Sequence, residues 1–129
     1  MSGANVKTIL VIDDEIDLIK LICIILERHG YVTCSARDGV EGLHALEACQ
    51  PDLILSNITM PNMNGLEMLR QIKNEPQYAD YANTPFAFIS ARGQPADIKA
   101  GLDAGADAYI TKPLPRPSEL IELISHLLK

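Results

Sequence analysis

Residues 8–15 read TILVIDDE, five β-branched or apolar positions in a row cut off by three acids. A continuous apolar run of this length, bounded by charge, is the pattern of a strand buried on both faces, as strands of a parallel sheet are. The period then changes. Across residues 15–29, Leu18, Ile19, Ile22, Cys23, Ile25 and Leu26 recur at helical spacing, and Gly30 stands where a helix stops.

The same unit repeats along the chain. Residues 31–36 read as a strand, and 39–49 as a helix with Val40, Leu43 and Leu46 inward, ended by Pro51. Residues 53–56 form a short apolar strand, and 65–73 a helix carrying Leu66, Leu69 and Ile72. After a long linker, Pro85 introduces a strand at 86–89. A helix over 95–104 with Ile98 and Leu102 one turn apart, a strand at 108–110 and an amphipathic helix over 118–128 complete five βα units. Strict alternation with right-handed crossovers gives an α/β, doubly wound, three-layer arrangement with helices on both faces of a parallel sheet.

A length of 129 residues fits one domain at roughly 100–200 residues each, here with its core over 7–128. With 47% hydrophobic and 22% charged residues the chain has material for a core, which argues against disorder. The net charge of -6 repels a polyanion, so direct nucleic-acid binding is not expected. The longest apolar run, 21–26, falls far short of the roughly 20 residues that cross a bilayer. MSGANVK carries no signal-peptide pattern, and Ser2 stands where myristoylation requires glycine. The expectation is a cytoplasmic protein without membrane attachment. Cys23, Cys34 and Cys49 form neither an even set nor a CxxC pair and read as small core residues rather than redox or metal groups. His29, His44 and His126 fall on separate elements without ligand spacing, and no Ser/His/Asp arrangement supports hydrolase chemistry.

In a parallel sheet all strands end at one edge, and ligands of open α/β sheets bind there. The residues at those ends are Asp13 and Asp14, Asn57, Ser90 and Lys112. Two adjacent carboxylates with an amide oxygen suit a hard cation such as Mg2+, and a hydroxyl facing an ammonium suits a phosphoryl group. Singly these residues have plainer readings: helix-start acids, a strand-end serine, a solvated lysine.

Together IDDE at 12–15, PDLILSN at 51–57, MPNMNG at 60–65, ISA at 89–91 and KP at 112–113 resemble the receiver domain of bacterial two-component response regulators over nearly the whole chain. The resemblance implies a flavodoxin-like fold with strand order 2-1-3-4-5. It also implies Mg2+ held by Asp14 directly, by Asp13 largely through water and by the backbone carbonyl of Thr59. Ser90 matches the hydroxyl that senses the phosphoryl group, Lys112 the lysine that pairs with it, and Tyr109 the aromatic switch. Pro113 matches a proline usually preceded by a cis peptide bond. Such a module passes a signal and is not an independent enzyme.

One position departs from the pattern. Where the family has its phosphoacceptor aspartate, this chain has Asn57. An acyl phosphate needs a carboxylate oxygen as nucleophile, and an uncharged amide oxygen is far weaker. Phosphorylation at position 57 is not expected. Loss of one carboxylate relieves repulsion with Asp13 and Asp14, so the metal-free fold gains stability and Mg2+ binds more weakly, although an asparagine oxygen at position 57 can still ligate. Two readings follow: an ordinary receiver whose acceptor was substituted, or a naturally degenerate receiver working by phosphorylation-independent binding. The retained Asp13, Asp14, Ser90, Tyr109 and Lys112 favour the first. Transfer to the neighbouring Ser56 or Thr59 is a minor third. Asn64, where the family often has aspartate, reads as a helix cap.

The resemblance also implies a histidine kinase or histidine phosphotransfer domain as partner, docking beside helix one, and a signalling or homodimer face on helix four, strand five and helix five. On a helical wheel Ile24 falls among Asp17, Lys20, Glu27 and Arg28, a candidate contact residue. Tyr78 and Tyr81, in the extended linker, read as either packed or partner-facing. Of other classes, a small Mg2+-dependent phosphatase wants a nucleophilic aspartate, and a flavin carrier wants a phosphate-cradling loop where this chain has three acids.

Overall fold

The computed structural model describes residues 6–129. The opening MSGAN, part of the stretch read for targeting signals, lies outside them. Strands β1 (Thr8–Ile12), β2 (Val32–Ala36), β3 (Leu53–Ser56), β4 (Phe86–Ser90) and β5 (Ala108–Thr111) form one parallel sheet in the order β2-β1-β3-β4-β5. Between and after them run α1 (Ile16–Arg28), α2 (Gly39–Cys49), α3 (Gly65–Asn74), α4 (Pro95–Asp103) and α5 (Pro117–Leu127). The flavodoxin-like order expected from the sequence is the order found.

Strand residues alternate between two cores. Leu10, Ile12, Ile54, Phe86 and Phe88 face Leu43 and Leu46 of α2 and Met68, Leu69 and Ile72 of α3. Ile9, Val11, Leu53, Leu55, Ala87 and Ile89 face Ile19, Ile22, Ile25 and Leu26 of α1 and Leu120 and Ile124 of α5. Burial on both faces is why these strands read as unbroken apolar runs. Each fully buried Val, Leu, Ile, Phe or Met side chain among them stabilises the fold by about 1.5–3 kcal/mol.

Local chemistry sets the helix ends. Asp38 caps α2 by accepting from the Glu41 N–H at 2.8 Å, and Asn64 caps α3 in a reciprocal box with Glu67, as read for Asn64. Gly30, at φ 89°, takes the left-handed turn that closes α1.

Three expectations need correction. Val40 is exposed rather than inward, and the inward positions of α2 include Gly39 and Gly42. The helix approaches so closely that a Cβ on Gly42 would lie 2.7 Å from Met68 Sδ and 2.8 Å from Ile12 Cδ1. The linker before β4 is not bare loop: Pro76–Tyr81 forms a 3-10 segment, with Tyr81 buried and Tyr78 packed on the core. The cysteines are not all isolated core residues, because Cys34 and Cys49 form a disulfide while Cys23 is free. Sequence separation hid the pairing; the return of α2 over β2 creates it. His29, His44 and His126 are exposed. Among the described residues no helix is long and apolar enough to cross a membrane.

Candidate functional site

The register brings the strand ends level. Ile12 pairs with Ser56, Ser56 with Phe88, and Ser90 with Thr111. The next residues along β1, β3 and β5 are Asp13, Asn57 and Lys112. Asp13, Asn57 and Ser90 are buried, Asp14 is exposed and Lys112 is half-buried.

Asp13 turns the chain out of β1: its Oδ1 accepts from the Glu15 N–H at 2.9 Å. Its Oδ2 accepts from Lys112 Nζ at 3.1 Å, and Glu15 Oε1 accepts from the same ammonium at 3.2 Å. Burial pushes the Asp13 carboxyl above the usual carboxylate range, only partly offset by the Glu15 N–H and Lys112. Burial works to lower Lys112 as well, but Asp13 and Glu15 outweigh it, so the ammonium is held above its ordinary value. The pair thus compensates the lysine more fully than the aspartate. Glu15 was not foreseen as a partner of Lys112, although it stands in the IDDE run that marked the site.

Asn57 has one orientation that satisfies its neighbours. Its Oδ1 accepts from the Ile58 N–H at 2.8 Å, and its Nδ2 donates to the Thr59 carbonyl at 3.0 Å and to Asp14 Oδ1 at 3.4 Å. Turning the amide over would set NH2 against N–H and oxygen against two oxygens. The ligating oxygen expected of Asn57 is therefore turned away from Asp14 and Thr59, and an N–H donor faces both. Ser56 Oγ donates to the Asn57 carbonyl at 2.7 Å, which takes this hydroxyl out of the pocket.

Ser90 Oγ accepts from the Arg92 N–H at 3.0 Å. Tyr109 lies against Phe88, ring centroids 5.9 Å apart, and its hydroxyl donates to the Arg92 carbonyl. Its ring covers Gly101 of α4, where a Cβ would meet it at 2.9 Å. The Lys112–Pro113 peptide is cis, as the KP motif led us to expect. Beside the site a hollow of about 300 Å3 is lined by Asp14, Arg37, Asp38, Glu41, Pro61 and Asn62. Asn62 Nδ2 donates to Asp38 at 2.8 Å. The Glu41 N–H, followed by the Asn62 amide, holds Asp38 below the usual carboxylate range.

The donor set can be tested against the cation that such a pocket suggests. Asp13, Asp14 and the Thr59 carbonyl are in place, but position 57 contributes an N–H donor rather than a third anionic oxygen. Among the described residues no group of three or more His, Cys, Asp or Glu is arranged to hold a metal. With Asn57 in this orientation its amide nitrogen addresses the same two oxygens a divalent cation would use, so position 57 presents it no ligand oxygen.

The parallel sheet thus gathers two acids, an amide, a hydroxyl and a lysine at its carboxyl edge, where open α/β sheets bind their ligands. The chain belongs to the response regulator receiver domain family, whose model matches residues 9–125. The DNA-binding response regulator MtrA of Mycobacterium leprae is 33% identical over 115 residues, 89% of this chain and 48% of the relative. The phosphate regulon transcriptional regulatory protein PhoB of Escherichia coli is 33% identical over 123 residues, 95% of this chain and 52% of the relative. The chain thus spans about half the length of these curated relatives. Among solved structures, the chemotaxis response regulator CheY4 of Vibrio cholerae matches with TM-score 0.85 at 27% identity, covering 96% of this chain and all of that one. The receiver domain of a signal transduction histidine kinase from Syntrophus aciditrophicus matches with TM-score 0.83 at 33% identity, covering 95% of this chain and 89% of that one.

Proposed function

We propose that this receiver domain does not accept a phosphoryl group at position 57 and signals through protein contacts. One observation carries the reading: Asn57 donates its amide to Asp14 and Thr59, the two neighbours a phosphoacceptor site leaves for a cation. Its oxygen is engaged by the Ile58 N–H and carries no charge to attack with. Lys112 is committed to Asp13 and Glu15, and the Ser90 hydroxyl to the Arg92 N–H. The pocket is internally satisfied without cation or phosphoryl group.

In this reading Asp13, Asp14 and Thr59 keep the outline of a Mg2+ site, Ser90 and Tyr109 the outline of a switch, and Lys112 the phosphoryl-pairing position. Members of the family typically bind Mg2+; here that binding is weakened. The partner is a histidine kinase or a histidine phosphotransfer domain, docking on α1, where Ile24 is 47% exposed in company with Ile16 and Leu21. The α4-β5-α5 face is the second contact surface, for an output partner or a second copy. The module has no catalytic activity of its own, binds no nucleic acid directly and works in the cytoplasm.

The test is intact-mass spectrometry after incubation with Mg2+ and acetyl phosphate. The Asn57 protein stays unmodified and Asn57→Asp gains one phosphoryl group. A phosphoryl group mapped by peptide sequencing to position 57 of the unmutated protein overturns the proposal. If Asn57→Asp also stays unmodified, the pocket is degenerate beyond position 57, and the phosphorylation-independent module replaces the silenced ordinary receiver.

A further inference from the structure

Cys34 lies on the edge strand β2, and Cys49, fifteen positions on, is the last residue of α2. Their Cα atoms are 6.4 Å apart, inside the roughly 4.4–6.8 Å span that a disulfide bridges without moving the backbone. Both side chains are only half-buried, so small thiol reagents reach them.

The sheet decides which cysteines can pair. Thr33 faces α1, where its hydroxyl meets Glu27, so the next residue, Cys34, faces the opposite layer and packs with the α2 and α3 core. Cys49 belongs to that core too, whereas Cys23 packs with the α1 and α5 core on the other side. Burial also pushes the Cys23 thiol up, against thiolate formation.

We propose that Cys34 and Cys49 are a redox-modification site: a dithiol that a low-molecular-weight disulfide of the glutathione type converts reversibly into the intramolecular bridge. One thiolate attacks the reagent's S–S bond and expels a thiolate, giving a mixed disulfide. The second cysteine then attacks the protein sulfur and expels the other thiolate. Two cysteine thiols are oxidised, one small disulfide is reduced to two thiols, and the two protons pass to them. Cytoplasmic thiols are kept reduced by default, so the bridge is the form taken up under oxidising conditions.

The bridge acts on one helix. At its N-terminal end α2 is already held to the loop after β3: the Gly39 N–H donates to the Met63 carbonyl at 3.0 Å, and Asn62 donates to Asp38 at 2.8 Å. Oxidation adds a covalent tie at the C-terminal end, so α2 is fastened at one end to the loop beside the receiver pocket and at the other to the middle of the edge strand β2. This inference is independent of the reading of position 57.

The test uses the whole chain equilibrated in glutathione buffers from fully reduced to largely disulfide, acid-quenched, alkylated under denaturing conditions and weighed intact. Three adducts are expected in the reduced buffer and one, on Cys23, in the oxidised buffer, with peptide mapping joining Cys34 to Cys49. Oxidation should raise Tm by on the order of 10 °C, from closing a loop of fifteen residues. Cys23→Ser should leave that shift intact and Cys49→Ser should abolish it. The proposal fails if the adduct count stays constant across the buffers, if the bridge involves Cys23 or a second molecule, or if Tm of the unmutated chain ignores the redox buffer.

Discussion

Asn57→Asp replaces an N–H donor by a carboxylate facing Asp14 Oδ1 and the Thr59 carbonyl oxygen. The Asn57 amide nitrogen lies 3.4 Å from Asp14 Oδ1 and 3.0 Å from the Thr59 carbonyl. The new charge sits about 5 Å from that of Asp14, a repulsion of roughly 3 kcal/mol at an effective dielectric near 20. Asp14 is exposed, and solvent screening reduces this to about 1–2 kcal/mol. The donated hydrogen bond to Thr59 is lost as well, at about 1 kcal/mol. In EDTA the variant should therefore be less stable by about 2–3 kcal/mol, which for a domain of this size lowers Tm by roughly 8–12 °C. Mg2+ should reverse the order of sensitivity. Mg2+ at ten times its dissociation constant adds about 1.4 kcal/mol to the variant, while the Asn57 protein gains little at the same concentration. Thermal melts of both proteins in EDTA and across a Mg2+ series measure this. The reasoning is refuted if the Asn57 protein is no more stable than the variant in EDTA, or if both gain equally from Mg2+.

Two further perturbations probe the scaffold of the site. Gly65→Ala drives a Cβ onto the Asn57 backbone carbonyl, with Phe88 Cε1 only 3.0 Å away; a loss of about 2–4 kcal/mol should appear as a lower urea midpoint at unchanged slope. Lys112→Met leaves Asp13 buried without its cation and should cost about 3 kcal/mol at neutral pH, a cost that shrinks on acidification as Asp13 takes up its proton. The folded pKa of Lys112 lies above 10.5, so its contribution is whole below that value and is lost as pH rises through the folded value. Denaturation midpoints followed from pH 9 to 11.5 should fall more steeply for the unmutated chain than for the Met variant, and parallel curves would exclude the pair's contribution.

The fold was readable because its strands are buried on both faces. TILVI, LILS and FAFIS are almost wholly apolar for that reason, and the polar residues at their carboxyl ends mark the edge where the pocket lies. The helices were less readable where glycine replaces the expected apolar contact. Val40 completes an apolar period in α2, yet Gly42 makes the contact with Ile12 and Met68, and a residue without a side chain leaves no hydrophobic signal. The candidate site was legible as a set of residue types but not as a set of bonds. That Lys112 divides between Asp13 and Glu15, and that the Asn57 amide points its nitrogen at Asp14, depend on rotamers that spacing does not encode. The Cys34–Cys49 pair was missed for a similar reason: it is a contact between a strand and the far end of the next helix, fixed only when the chain doubles back.

Arg92 lends its backbone to two hydroxyls at once: its N–H goes to Ser90 and its carbonyl receives Tyr109. Its side chain projects into solvent and takes no part. Mechanical linkage and surface identity are therefore carried by different atoms of one residue. Almost any amino acid at position 92 preserves the linkage, proline alone removing the required N–H. The exposed surface at position 92 can thus change its chemistry while the internal connection between β4 and β5 stays as it is.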